Sequence, residues 1–128
     1  MSNAIKRIPT KLSYPFSLAV EAGGFLFLSG QVSISEEAEP IRGDVKTQTR
    51  NILAGIERAL QTCGSDMGSI VKVTVWLSDM KYFTEFNQEY ATHFPHGFPA
   101  RSVVSAKLVF DLDVEMEVQA LAPVKLGS

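Results

Sequence analysis

The sequence predicts an α+β fold: a single mixed β-sheet of about six strands with two helices on one face. Three observations carry this. A polar–apolar alternation of period two marks the C-terminal third, two stretches of helical period lie in the middle, and β-branched or aromatic runs separate them. The resulting order is strand-strand-helix-strand-helix-strand-strand, which suits one sheet with its helices on one side. With 128 residues, the whole chain, 1–128, is expected to be one domain. A chain of this length buries roughly two-thirds of its unfolded surface, enough for one core.

A short strand is expected before Pro9. Between Ser17 and Gly30, the runs Leu18-Ala19-Val20 and Phe25-Leu26-Phe27-Leu28 flank Gly23-Gly24, a hairpin signal. The second run is apolar at every position, so it reads as buried on both faces. From Asp44 to Cys63 the period lengthens, placing Val45, Ile52, Leu53, Ile56 and Leu60 on one helical face. Asp44 is suited to cap that helix, and Gly64 to follow its last turn. The segment Ile70 to Leu77 is a β-branched strand. A second helix is expected from about Lys81 to His93, with Phe83, Phe86, Tyr90 and Phe94 on its face and Pro95-His96-Gly97 as its stop. That aromatic stripe reads as core.

Two strands close the chain, from about Arg101 to Val109 and from about Asp113 to Ala122. In the last, Val114, Met116 and Val118 alternate with Glu115, Glu117 and Gln119, so the carboxylates share a face. Two helices on one side leave the other side of the sheet bare. Either Phe25 and Phe27 or Leu26 and Leu28 would then be exposed in a lone chain. Such a face marks association, so a closed homo-oligomer is expected.

Twelve Lys and Arg stand against fourteen Asp and Glu, for a net charge of −2, and no basic run is present. This argues against a nucleic-acid partner. The lone Cys63 permits no intramolecular disulfide and fits a reducing compartment. Residues 1–11 do not read as a signal peptide, and no apolar run is long enough to span a bilayer. A cytoplasmic location, away from membranes, is the expectation.

Arg101 is a charge entering an otherwise apolar strand. Its guanidinium either clamps a carboxylate ligand, pairs with Glu115 or Glu117, or lies at an exposed strand end. Glu115 and Glu117 either serve acid–base chemistry or form a solvated face. Ser29-Gly30 ends a buried strand with a hydroxyl and room for close approach. His93 and His96 straddle a helix stop, without a serine elbow or a third zinc ligand, and no phosphate loop or dinucleotide fingerprint appears. No metal and no cofactor is expected.

Pro15-Phe16-Ser17, Phe27-Leu28-Ser29-Gly30-Gln31, Gln48-Thr49-Arg50-Asn51, Val71-Lys72-Val73-Thr74-Val75, Phe86-Asn87-Gln88-Glu89-Tyr90, Phe94-Pro95, Pro99-Ala100-Arg101-Ser102 and Met116-Glu117-Val118-Gln119-Ala120-Leu121-Ala122 occur in an order and spacing that resembles the RidA/YjgF family, over about Pro15 to Ala122. The resemblance implies a chorismate-mutase-like homotrimer with a cleft between each pair of subunits. It implies hydrolytic deamination of 2-imino or 2-enamino acids to 2-oxo acids and ammonia. Arg101 would hold the carboxylate and Glu117 would activate water, with Glu115 as the other candidate. Phe16, Ser29, Gly30, Asn87 and Val103 would line the substrate pocket. Val103 stands where many members carry a cysteine, and Leu108-Val109-Phe110-Asp111-Leu112 replaces a Leu-Pro-Lys-like turn. The competing functions are a non-catalytic binder of small carboxylates and a ribonuclease or translation inhibitor.

Overall fold

The structure is a computed structural model that describes residues 4–124. Its sheet contains β1 (Lys6–Pro9), β2 (Ser17–Ala22), β3 (Phe25–Leu28), β4 (Gln31–Val32), β5 (Ile70–Leu77), β6 (Ala100–Ser105) and β7 (Val114–Leu121). The order is β1-β2-β3-β7-β5-β6, and β4 pairs with β7 off this path. Every pairing is antiparallel except β5 with β6. Parallel neighbours need a crossover. Here it consists of a 3₁₀ turn, Met80–Tyr82, and helix α2 (Phe83–Ala91). Helix α1 (Val45–Thr62) packs against α2, β4 and β7. The expected α+β architecture is therefore present.

Local chemistry explains the element ends. Gly23 and Gly24 take φ of 59° and 85°, the two positive values that a tight hairpin turn needs between β2 and β3. The Asp44 side chain accepts a hydrogen bond from Thr47 N at 2.8 Å, capping α1. At the other end Ser65 N donates to Leu60 O and Gly64 N to Gln61 O, with Gly64 at φ 79°; this is a Schellman stop.

The core lies between the helices and one sheet face. It joins Ile52, Leu53, Ile56 and Leu60 of α1, Phe86 and Tyr90 of α2, and the inward residues Leu26, Leu28, Val73, Val75, Leu77, Val114, Met116 and Val118. Burying each large apolar side chain contributes roughly 1.5–3 kcal/mol. One buried polar residue, Gln48, ties α1 to the start of β7. Its Nε2 donates to Gly43 O and Asp113 Oδ2, and its Oε1 accepts from Asp113 N.

Four expectations are corrected. The sheet has a seventh strand, β4, two residues long and too short to leave a periodic signal. The strand expected over 101–109 ends at Ser105, and residues 109–111 form a 3₁₀ turn with Phe110 and Asp111 at φ 60° and 53°. The second helix runs only from Phe83 to Ala91. The Asp79 carboxylate caps the 3₁₀ turn before it, and the Thr92 hydroxyl bonds to Glu89 O at its end, ahead of Pro95. Finally, β3 is buried on one face only: Leu26 and Leu28 point into the core, while Phe25 and Phe27 are 40% and 42% exposed.

Candidate active site

Arg101 is the second residue of β6 and pairs with Val73, which is wholly buried under the helices. Its side chain therefore leaves the sheet on the helix side. There α2 presents Phe83, Phe86 and Tyr90, spaced three and four residues apart on one helical face. The guanidinium carbon lies 4.9 Å from the centroid of the Tyr90 ring and 5.7 Å from those of Phe83 and Phe86. Cation–π attraction of this kind contributes roughly 0.5–2 kcal/mol, more as water is excluded. It holds the cation without using its N–H groups. Among the described residues the Arg101 side chain makes no hydrogen bond and no ion pair, so the salt bridge to Glu115 or Glu117 is not formed.

A hollow of about 280 Å³ opens beside this guanidinium, lined by Asn87, Tyr90, Ala91, Phe98, Pro99 and Arg101. Asn87 Oδ1 and the Tyr90 hydroxyl are buried there without a partner. Leaving such atoms unpaired costs about 1–3 kcal/mol each, so the cost is concentrated at this hollow. Burial pushes the Tyr90 phenol up to about 12, against the opposing pull of the Arg101 charge. It remains a donor at neutral pH.

The other expected residues lie elsewhere. Phe16, Ser29 and Gly30, with Glu115, line a separate groove of about 800 Å³. The Ser29 hydroxyl donates to Ser17 O at 2.6 Å, which fixes the ends of β2 and β3 together. A Cβ on Gly30 would stand 2.5 Å from Glu115 Oε2, so the carboxylate lies close over this backbone and a side chain at position 30 would make it swing aside. Burial, and then the charge of Glu117, raises the Glu115 carboxyl above the usual range. Glu117 pairs with Thr74 and Glu115 with Trp76, both on the sheet face that carries no helix. Arg101 and Glu117 thus leave opposite faces of the sheet, and one chain does not bring them together. Val103 packs against the core and lines neither hollow.

A sequence profile described as endoribonuclease L-PSP matches residues 6–124. The chain belongs to this family, the RidA/YjgF family. It is 38% identical to the mitochondrial protein Mmf1 of Saccharomyces cerevisiae over 119 residues, covering 89% of this chain and 82% of that one. The solved structure of a Rid family protein from Yersinia pestis superposes with a TM-score of 0.88 at 32% identity, covering 93% of this chain and all of that one. The YjgF gene product of E. coli gives a TM-score of 0.83 at 30% identity, with 91% and 98% covered.

As a RidA/YjgF chain it contains features that sequence reasoning missed. The aromatic stripe of α2 is both core and the seat of Arg101. Phe86 and Tyr90 are buried, but Phe83 is 40% exposed at the seat's edge. The signal was the shared helical face of 83, 86 and 90 beside an unpaired arginine. His93 is not placed as a base: its Nε2 lies 2.9 Å from Glu89 Oε2, and Glu89 also pairs with Arg50 of α1. Burial pushes the Glu89 carboxyl up, but hydrogen bonds from His93 and Arg50 outweigh it and hold the carboxyl below the usual range. No helix among the described residues is long and apolar enough to cross a membrane.

Proposed function

We propose that this RidA/YjgF chain hydrolyses 2-imino acids, and their 2-enamino tautomers, to 2-oxo acids and ammonia in clefts between three copies of the chain. The observation that carries the reading is Arg101. A guanidinium steadied by three ring faces, with every N–H free of protein acceptors, is preorganised for a planar carboxylate. The division of the candidate residues supports the intersubunit cleft. Arg101 and Asn87 lie on the helix side of one chain, and Phe16, Ser29, Gly30 and Glu117 on other surfaces, so a second copy is needed to oppose them. The bare sheet face, with Phe25, Phe27, Val104 and Leu121 exposed, is a surface that such an assembly would cover.

In the proposed reaction Arg101 holds the substrate carboxylate. Water adds to the electrophilic imine carbon as Glu117 takes its proton. That proton passes to the nitrogen to give the carbinolamine. A second transfer through Glu117, from the carbinolamine hydroxyl to the nitrogen, lets the carbon–nitrogen bond break as the carbonyl forms, and the 2-oxo acid and ammonia leave. An imine is already electrophilic, so positioning and one acid–base group suffice, the latter worth roughly 10²–10⁴-fold.

An amino-acid oxidase that generates the imine, with semicarbazide trapping what remains, tests this directly. The wild type is expected to accelerate imine loss, and Arg101→Ala to lose about 10²-fold or more of that acceleration. No acceleration with any imine would leave a carboxylate-binding protein. Light scattering should return the mass of three chains; a single-chain mass would overturn the intersubunit cleft.

A further inference from the structure

The turn after β6 is the most strained segment among the described residues. Phe110 and Asp111 are consecutive non-glycine residues at φ 60° and 53°. A bulky residue occupies the left-handed region only when its surroundings impose it, and such strain tends to be kept where it serves a site. Here Arg42 Nη1 donates to Phe110 O at 2.9 Å, latching the turn across the chain. The result is that Val109 and Phe110, both exposed, form one wall of the groove that holds Ser29, Gly30 and Glu115.

The same groove has further apolar lining. Tyr14 and Phe16 stack with centroids 6.2 Å apart and planes 14° apart, and Leu18 also lines it. At about 800 Å³ the groove falls in the range that takes drug-sized ligands, roughly 300–1,000 Å³. An alanine-sized imino acid would leave most of it to water.

We propose that the latched 108–112 turn makes this groove a side-chain subsite selective for 2-imino acids with bulky apolar side chains. The inference rests on the deaminase reading above for the reacting end of the ligand. With that end at Ser29 and Gly30, a leucine-like or phenylalanine-like side chain lies along Phe110, Val109, Phe16 and Leu18. Apolar contacts of this size discriminate by about tenfold or more. Arg42 is a positioning residue: it acts through the Phe110 carbonyl and does not line the groove.

The test compares kcat/KM for imines generated from leucine and from alanine. The wild type is expected to favour the leucine imine by roughly tenfold or more. Phe110→Gly removes the ring and suits the left-handed backbone, so the fold is retained while the ratio falls toward one. Arg42→Ala, which frees the turn, should lower the ratio as well. A wild-type ratio near one, or an unchanged ratio in Phe110→Gly, overturns the subsite. Should no imine be hydrolysed at all, the deaminase reading fails and calorimetry decides the subsite separately. Tighter binding of 4-methyl-2-oxopentanoate than of pyruvate, lost in Phe110→Gly, would uphold it, and equal binding would overturn it.

Discussion

Along β7, Val114, Met116 and Val118 are wholly buried beneath α1, whereas Glu115, Glu117 and Gln119, each one residue away, face the side that no helix covers. The two sets share a backbone, a register and a strand. They differ only in which side of the pleat they occupy. The inner set interdigitates with Ile52, Leu53 and Ile56, where any lost methylene leaves a void. The outer set includes two carboxylates on adjacent outward positions, one of which lies close over the Gly30 backbone. Stability is thus concentrated on one face. The other face carries two carboxylates and exposed aromatic residues that a self-sufficient single chain would not need.

That division can be broken by paired substitutions one residue apart. Met116→Ala, on the inner face, should cost about 2–5 kcal/mol of unfolding free energy, read by urea melts, with little change in activity of the folded fraction. Glu117→Gln, next to it, should leave the melt nearly unmoved and lower imine hydrolysis by roughly 10²–10⁴-fold. If Met116→Ala instead spared the fold, or Glu117→Gln spared turnover while destabilising the chain, the faces would not be divided in this way.

The same alternation explains how much was legible in the sequence. Val114 to Gln119 announces its two faces because a strand has period two, and α1 announces its cap, face and stop through Asp44, Ile52 and Gly64. Arg101 stood out as a charge opening an apolar strand. Its seat did not, because Phe83, Phe86 and Tyr90 have the spacing of any core-facing helix. Whether such a stripe also holds a cation depends on the β5–β6 pairing that brings Arg101 beside it. For the same reason the sequence could group Arg101 with Glu117 by chemistry but could not assign them to opposite faces, which the registers with Val73 and Thr74 decide. The left-handed Phe110 was invisible because its side chain gives no hint of that backbone; a glycine there would have.

The smallest expected effect is the most informative about the outer face. Burial and the Glu117 charge raise the Glu115 carboxyl, so the unfolded chain gives up that proton first. A carboxyl raised in the folded state contributes stability below its unfolded value, about pH 4.3. That contribution is lost as pH rises through the folded value. Glu115→Gln does not titrate, so its thermal melt should match the wild type near pH 4 and lie above it at pH 7. The gain will be modest, because the carboxyl is only half-buried. The opposite order at pH 7 would require a cation at Glu115, which none of the described residues supplies. In the proposed trimer, a second copy's Arg101 is the group with free donors to fill that role. It would then clamp a carboxylate of the protein, and Arg101→Ala and Glu115→Gln would no longer act independently.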